Sequence, residues 1–172
     1  VVYKSISGFT QKYAEWIAED LNADIFTREQ ASIDKLIGYD LVIFGGSLHA
    51  VGINGIDIIK DNMDRLSDKN LIVFATGASP ARENVLEEVL NNNFSPEEQK
   101  RIRLFYLRGG FDYSKLNVIN KILMTLMKWK LSLKRERTPD EKGMLAAYSQ
   151  PVDFTKTERL KDLLDYAKSL NS

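Results

Sequence analysis

Two apolar runs, each closed by glycine, constrain the fold of this chain most strongly. The first runs from Tyr39 to Gly46 (Y-D-L-V-I-F-G-G), and the second runs from Asn70 to Gly77 (N-L-I-V-F-A-T-G). Neither alternates apolar and polar residues, as a strand with one solvent face would, so each is predicted to be a strand buried on both faces. Such strands occur mainly in parallel sheets covered by helices on both sides.

Weaker strand patterns and intervening helical patterns extend this interpretation. Further strands are predicted at residues 1–4, 23–27 and 101–108. Helices are predicted at residues 10–21, 32–37, 56–66 and 83–90, from Ser95 with Glu98 as a capping box, and from Thr155 with Glu158 as a second capping box. Five strands separated by helices predict one α/β domain over residues 1–172, with a doubly wound five-stranded parallel sheet.

The composition excludes several classes of function. Lys plus Arg and Asp plus Glu number 24 each, which argues against a nucleic-acid-binding protein driven by global charge. The chain contains no cysteine, so disulfides, thiolate nucleophiles and cysteine-ligated metals are excluded. No apolar run reaches the roughly 20 residues that span a bilayer. We expect a cytoplasmic protein.

In doubly wound sheets, ligands bind beyond the carboxyl ends of the strands, where the strand order reverses. The informative segments should therefore be 5–10, 45–52, 76–82 and 109–114. Gly, Ser and Thr cluster in these segments. The predicted architecture and the distribution of small polar residues therefore agree.

The first of these segments, S5-I-S-G-F-T10, carries three hydroxyls and one glycine at the start of a predicted helix. Unpaired amides and the helix dipole favour an anion at such a position. The P-loop and dinucleotide-binding spacings are absent, and Lys4 precedes the loop, so the loop itself carries no cation. A terminal monophosphate is the anion that suits this loop. An ordinary helix N-cap is the alternative.

The longer stretch V1-V-Y-K-S-I-S-G-F-T-Q-K-Y-A-E-W-I17 resembles the flavodoxin fingerprint. The resemblance implies that the first loop wraps the phosphate of FMN. It also implies that the loops after the next two strands border the flavin ring. The cofactor-binding residues expected on this basis are Ser5, Ile6, Ser7, Gly8, Phe9, Thr10, Ser47, Leu48, His49, Ala50, Val51, Gly52, Thr76, Gly77, Ala78, Ser79, Arg82 and Gly110.

Two of these residues carry a sharper hypothesis. His49 is the single histidine of the chain, and beside the flavin it would stabilise negative charge on the reduced ring. The alternative for His49 is an ordinary solvated or hydrogen-bonded side chain. Arg82 has the same two interpretations, its alternative being a residue at the start of a helix. No side chain is expected to act as a nucleophile and no metal is expected, because FMN would carry the chemistry.

An insertion of about 35 residues, at 113–148, separates the last predicted strand from the last helix. From Lys115 to Arg137 it holds five Lys and two Arg against one acid, Glu136. Together with F105-Y-L-R-G-G-F-D-Y-S-K-L-N117, this layout resembles the menaquinone-dependent protoporphyrinogen dehydrogenases. That resemblance implies an FMN oxidoreductase that passes electrons from a protoporphyrinogen-type substrate to quinone.

Other interpretations of the insertion and of the function are open at this point. Residues 115–137 either pack on the domain or form a helix that contacts anionic lipid at the inner face of the membrane. A redox partner protein could replace the quinone. The alternatives for the whole chain are a simple electron-transfer flavodoxin and a non-redox protein-binding or lipid-binding module on the same scaffold. The neutral charge and the absence of aromatic residues in 45–52 and 76–82 argue against the simple flavodoxin.

Overall fold

The computed structural model describes residues 1–80, 84–115, 118–134, 136, 145, 148 and 150–170. Its main sheet has five parallel strands in the order β2-β1-β3-β5-β6. Their bounds are β1 Val2–Lys4, β2 Phe26–Thr27, β3 Leu41–His49, β5 Asn70–Gly77 and β6 Ile102–Arg108. The strand β4, Gly52–Ile53, pairs antiparallel with the end of β3. This confirms the predicted α/β fold and places the reversal of strand order between β1 and β3.

Helices cover both faces of the sheet. Their bounds are α1 Phe9–Leu21, α2 Ile33–Leu36, α3 Asp57–Lys60, α4 Val85–Asn93, α5 Pro96–Gln99, α6 Val118–Ser132 and α7 Lys161–Ser169. Two 3₁₀ helices, Tyr113–Lys115 and Thr157–Leu160, precede α6 and α7. The short strands β7, Gly110–Phe111, and β8, Val152–Asp153, pair antiparallel. The β7–β8 pair therefore joins the two ends of the predicted insertion, 113–148.

The two central strands are buried on both faces, as their apolar runs predict. Ile43 and Phe74 face the cluster that α1 and α7 cover, which contains Tyr13, Ile17 and Leu163. The neighbouring residues Phe44 and Val73 face the opposite cluster, which contains Ile59, Leu66 and Val89. Because successive side chains of a strand point to opposite faces, one continuous apolar run supplies both halves of the core.

The glycine pair Gly45-Gly46 lies inside β3, so the segment 45–52 is a strand followed by a hairpin, not a loop after a strand. A Cβ added to Gly45 would lie 2.0 Å from Cζ of Phe74. A Cβ added to Gly46 would lie 2.3 Å from Cγ2 of Ile53. The glycines are required here by the close approach of neighbouring side chains, which a single sequence does not distinguish from a turn.

Two helix predictions are wrong in detail. The segment predicted as a helix at 56–66 is α-helical only over Asp57–Lys60. Turns follow it, in which the amides of Asn62 and Ser67 donate to the carbonyls three residues earlier. The predicted cap at Thr155 is wrong, because the Thr155 hydroxyl donates to Asp153 at 2.6 Å and the helical segment begins at Thr157. Local bonding to Asp153 replaces the capping box. The capping box of Ser95 and Glu98 is confirmed.

Candidate functional site

The predicted site segments meet at one edge of the sheet, where the carboxyl ends of its strands lie. Lys4, which precedes the first loop, is opposite Gly46, and Ser47 is opposite Thr76. Gly77 is in turn opposite Arg108. The first loop, the end of β3 and the end of β5 are therefore neighbours at the reversal of strand order. This is where doubly wound sheets bind their ligands.

The first loop turns sharply at Gly8. Gly8 has φ of 90°, a left-handed conformation that favours glycine, and its amide donates to the Ser5 hydroxyl at 3.0 Å. Because the Ser5 oxygen accepts this bond, its own proton can be donated to another acceptor. Ser7 is half-buried. The first amides of α1 have no partner within the helix, so the loop presents hydroxyl and amide donors together.

Thr10 faces the protein, although it belongs to the same loop. Its side chain is buried, and its Oγ1 lies 2.6 Å from Oγ1 of Thr76, so the two hydroxyls share a hydrogen bond. This bond connects the start of α1 to the end of β5. Thr10 therefore offers its backbone amide to a ligand, while its hydroxyl is engaged inside the protein.

Lys4 does not contribute a charge to the first loop, because its ammonium pairs with Glu29. The hydrogen bond from Lys4 lowers the pKa of the Glu29 carboxyl. A different cation lies over the loop. Nζ of Lys115 is 3.5 Å from the Ser7 carbonyl oxygen, and it is 3.7 Å from the point where a Cβ of Gly8 would be.

Lys115 reaches this position from a turn that Asp112 organises. The buried Asp112 carboxylate accepts hydrogen bonds from the Ser114 hydroxyl at 2.6 Å and from the Ser114 amide at 3.0 Å. The Ser114 hydroxyl is the main reason that the pKa of Asp112 is lowered. The other carboxylate oxygen lies 3.9 Å from Nζ of Lys115. The turn thus holds an acid and a cation beside the first loop.

The hairpin of β3 and β4 forms the second part of the site. Its tip contains Ala50, which has a left-handed φ of 55°, and the exposed His49. The buried Asn93 of α4 holds the hairpin from behind, since its Oδ1 accepts from the Ile53 amide at 2.9 Å and its Nδ2 donates to the Val51 carbonyl at 2.7 Å. Leu48, Gly52 and the half-buried Val51 lie in the same hairpin.

The segment after β5 forms the third part. Tyr106 donates its hydroxyl to the Ser79 carbonyl at 2.7 Å, and burial raises the pKa of that hydroxyl. Arg108 donates to the Ala78 carbonyl at 3.2 Å while its guanidinium lies 3.7 Å from the centre of the Phe154 ring. These two β6 side chains hold 78–79 in place. Arg82, predicted as a site residue, lies outside the described residues.

Gly110 is close to the first loop through Phe9. A Cβ at Gly110 would lie 2.6 Å from Cζ of Phe9 and 2.2 Å from the carbonyl oxygen of Val152. The Phe9 ring therefore packs directly on the backbone of β7. This contact ties the start of α1 to the β7–β8 pair, and it explains why the chain has glycine at 110.

Comparison with known proteins decides the family. The flavodoxin domain model matches residues 1–138 of the chain. The chain belongs to the flavodoxin domain family. An uncharacterised protein of Methanocaldococcus jannaschii is 29% identical over 66% of this chain and 76% of its own length. The resemblance of the first 17 residues to the flavodoxin fingerprint is confirmed at the level of the family.

Solved structures similar to this flavodoxin-domain protein include three of interest. The Trp repressor binding protein from Bacillus subtilis is 16% identical, with a TM-score of 0.48 over 79% of this chain and 98% of that one. A flavodoxin from the domain Archaea is 20% identical, with a TM-score of 0.37 over 61% and 81% of the two chains. The Megasphaera elsdenii flavodoxin is 15% identical, with a TM-score of 0.41 over 61% and 80%.

The family identifies the cofactor as FMN, and the first loop fits its phosphate. Ser5 and Ser7 offer hydroxyls, the start of α1 offers amides, and Gly8 leaves the space that a side chain would fill. The hairpin tip at 49–52 and the segment 77–79 border the same edge of the sheet, where the ring would be bound. Among the described residues, no group of three or more His, Asp or Glu could hold a metal.

Four residues that position the site escape prediction as cofactor-site residues: Asn93, Tyr106, Arg108 and Lys115. Asp112 lies within the predicted segment 109–114, but the sequence assigns it no role. The D-x-S spacing at 112–114 is typical of an Asx turn, so it could have indicated an ordered segment before Lys115. Asn93 and Tyr106 act across the fold, and their roles depend on which elements pack together. Nothing in their local sequence distinguishes them from ordinary helix and strand residues.

Proposed function

We propose that this flavodoxin-domain protein is an FMN-dependent oxidoreductase that takes electrons from a protoporphyrinogen-type substrate and passes them to a quinone. The observation that carries the redox assignment is the convergence of the first loop, the β3–β4 hairpin and the segment 77–79 at one edge of the sheet. When bound, FMN supplies the electron-accepting chemistry, and the chain supplies binding and orientation.

The described side chains at this edge are suited to holding a cofactor. Ser5, Ser7 and the start of α1 bind the phosphate, while backbone groups of the hairpin and of 77–79 border the ring. A backbone contact tunes a flavin without contributing a nucleophile or a proton donor of its own. His49 is exposed at the hairpin tip, where it is free to approach a negatively charged reduced ring.

The quinone part of the proposal depends on the outer face of α6. Ile122, Leu126, Trp129 and Leu133 follow one another at helical spacing and are 59%, 59%, 66% and 65% exposed. The opposite face contacts the protein through Leu131, which is buried. At the side of the helix, Thr125 bonds to the Tyr113 hydroxyl at 2.6 Å. A helix that is apolar on its solvent side suggests a second apolar contact.

We propose that this outer face, with the neighbouring lysines of 121–134, contacts the surface of a membrane that contains anionic lipid and quinone. The basic excess of the segment is complementary to anionic headgroups. No helix in the described part of the chain is long and apolar enough to cross a bilayer. In the proposed contact, α6 lies in the plane of the interface with its apolar outer face towards the lipid.

The redox assignment is tested with purified protein. We expect a flavin absorption band that is released on denaturation and identified as FMN by chromatography. After anaerobic reduction, reoxidation by menaquinone but not by a redox protein, together with oxidation of protoporphyrinogen by the oxidised form, would support the oxidoreductase. Reoxidation only by a redox protein would favour a simple electron-transfer flavodoxin. A colourless protein that does not bind added FMN would favour a non-redox module.

The membrane contact is tested with vesicles and fluorescence. In a Trp16→Phe background, Trp129 is the remaining tryptophan, and its emission should shift to shorter wavelength on anionic vesicles but not on neutral ones. The change Leu126→Ser should weaken cosedimentation with vesicles. The matched control is Leu86→Ser, which replaces an exposed leucine of α4. Equal loss of cosedimentation in the two variants would contradict the assignment to α6.

A further inference from the structure

We infer that Lys115 is a phosphate-binding residue of the FMN site, supplied by the segment that leads into α6. The inference rests on the proposed function, because it requires FMN in the first loop. It assigns to one described side chain the positive charge that the loop sequence lacks. In consequence, the site selects the phosphorylated flavin over riboflavin.

The position of Lys115 is the first argument. Its ammonium lies 3.5 Å from the Ser7 carbonyl oxygen and next to the open side of Gly8. A phosphate that accepts from the Ser7 hydroxyl and from the first amides of α1 would lie close to the same two residues. Lys115 therefore occupies the border of the volume in which the phosphate would be held.

The partners of Lys115 are the second argument. A lysine ammonium has three donors, and here its contacts are weak ones. The distance of 3.9 Å to Asp112 is at the limit of an ion pair, and the 3.5 Å contact to the Ser7 carbonyl is long for a hydrogen bond. The Ser114 hydroxyl and amide already donate to Asp112. The ammonium thus keeps donors for an incoming anion, and its side chain is 58% exposed.

Among the described residues, the other cations named near the first loop are engaged elsewhere, which is the third argument. Lys4 pairs with Glu29, and Lys12 pairs with Asp153 at 2.9 Å. Arg108 donates to the Ala78 carbonyl and stacks on Phe154. The charge of a phosphate in the loop would therefore be met mainly by Lys115. A charge-assisted bond of this type is stronger than one between neutral groups.

The turn that carries Lys115 links the cofactor to the insertion. Tyr113, two residues before Lys115, bonds to Thr125 of α6 at 2.6 Å. A phosphate that holds Lys115 would therefore also hold the first turn of the insertion against the first loop. The consequence is that FMN, but not riboflavin, should order the segment 113–115.

The test compares FMN with riboflavin, whose difference is the phosphate. Dissociation constants are measured by quenching of flavin fluorescence for the wild type, Lys115→Met, Lys115→Arg and Lys100→Met. We expect Lys115→Met to weaken FMN binding about tenfold and to leave riboflavin binding unchanged. Lys115→Arg should restore most of the FMN affinity, because it keeps the charge. The control Lys100→Met removes a lysine charge just before the amino end of β6, whereas the site lies beyond its carboxyl end. It should change neither the FMN nor the riboflavin dissociation constant.

Two further readouts separate a phosphate contact from a structural role. The FMN affinity of the wild type should fall more steeply with salt than that of Lys115→Met. In hydrogen exchange, FMN should protect the amides of 113–115 in the wild type, and riboflavin should not. Unchanged FMN affinity in Lys115→Met, or an equal loss for FMN and riboflavin, would overturn the inference while leaving the proposed function in place. Absence of binding of either flavin to the wild type would overturn both.

Discussion

At the scale of single residues, the buried hydrogen bond between Thr10 and Thr76 means that a substitution of Thr10 in the first loop changes the stability of the fold as well as any contact with a ligand. The two hydroxyls are 2.6 Å apart inside the protein. Thr10→Val would leave the Thr76 hydroxyl buried without its partner, so we expect a loss of about 1–3 kcal/mol in the free energy of unfolding. The double variant with Thr76→Val should lose less than the sum of the two single changes. Urea denaturation measures all three differences.

The half-buried Ser7 gives the matched comparison for this loop. Ser7→Ala should leave the free energy of unfolding within about 0.5 kcal/mol of the wild type, because it replaces a side chain outside the core. It should nevertheless weaken FMN binding. If Thr10→Val lost FMN affinity without any loss of stability, the Thr10 hydroxyl would face the ligand, contrary to the structure.

Gly110 tests the contact between the first loop and the β7–β8 pair. The Cβ of Gly110→Ala would meet a backbone oxygen at 2.2 Å and the Phe9 ring at 2.6 Å. We expect a loss of roughly 1–3 kcal/mol in the free energy of unfolding and weaker FMN binding, because Phe9 is displaced. In the control Gly52→Ala the added Cβ lies 3.5 Å from its nearest neighbour, the His49 carbonyl. Equal thermal stability of the two variants would contradict this account.

At the scale of elements, Asn93 of α4 determines the position of the β3–β4 hairpin. Its amide accepts from Ile53 and donates to the carbonyls of Val51 and Val89. In Asn93→Asp a carboxylate faces two carbonyl oxygens and cannot donate to them, so we expect a loss of roughly 3 kcal/mol in the free energy of unfolding. Repulsion from the Val51 and Val89 carbonyls should move the carboxylate away from the Ile53 amide as well, so the hairpin amides, including that of Ile53, should exchange faster with deuterium.

The neighbouring Asn92 is exposed, and Asn92→Asp makes the same chemical change without that environment. It should leave both the unfolding free energy and the exchange of Ile53 unchanged. A wild-type exchange rate at Ile53 in Asn93→Asp would show that β3 holds the hairpin without α4.

The individual elements also show how much of the fold and of the candidate site can be predicted from the sequence alone. Strands β3 and β5 were predictable because burial on both faces produces an uninterrupted apolar run. The role of Gly45 was not, since it depends on the Phe74 ring of a neighbouring strand. The predicted helix cap at Thr155 was wrong for a local reason, because the Thr155 hydroxyl bonds to Asp153 instead of to a helix amide. The first loop was predictable from its spacing, whereas Lys115 reaches it across more than 100 residues of chain.

At the scale of the whole molecule, the β7–β8 pair places the insertion beside the cofactor edge. Gly110 is opposite Asp153, and the Phe154 amide donates to the Gly109 carbonyl at 2.8 Å. Gly109 in turn donates to the Gly77 carbonyl at 2.8 Å. The two ends of the insertion are thus tied to the same strand end that borders the proposed ring site. A membrane contact through α6 would bring that edge of the sheet near the lipid surface.

Binding of FMN to the folded chain should be visible as a gain in stability of the whole molecule. A ligand that binds only the native state at 100 times its dissociation constant adds about 2.7 kcal/mol to the free energy of unfolding. For a chain of 172 residues this corresponds to a rise in Tm of roughly 5–11 °C. Calorimetry over a series of FMN concentrations measures the rise, with Ser7→Ala as the variant of weakened affinity. At one FMN concentration its rise should be smaller, because the gain depends on the ratio of concentration to dissociation constant. A Tm that does not depend on FMN concentration would mean that the folded state has no preference for FMN, which contradicts a cofactor site built from the first loop.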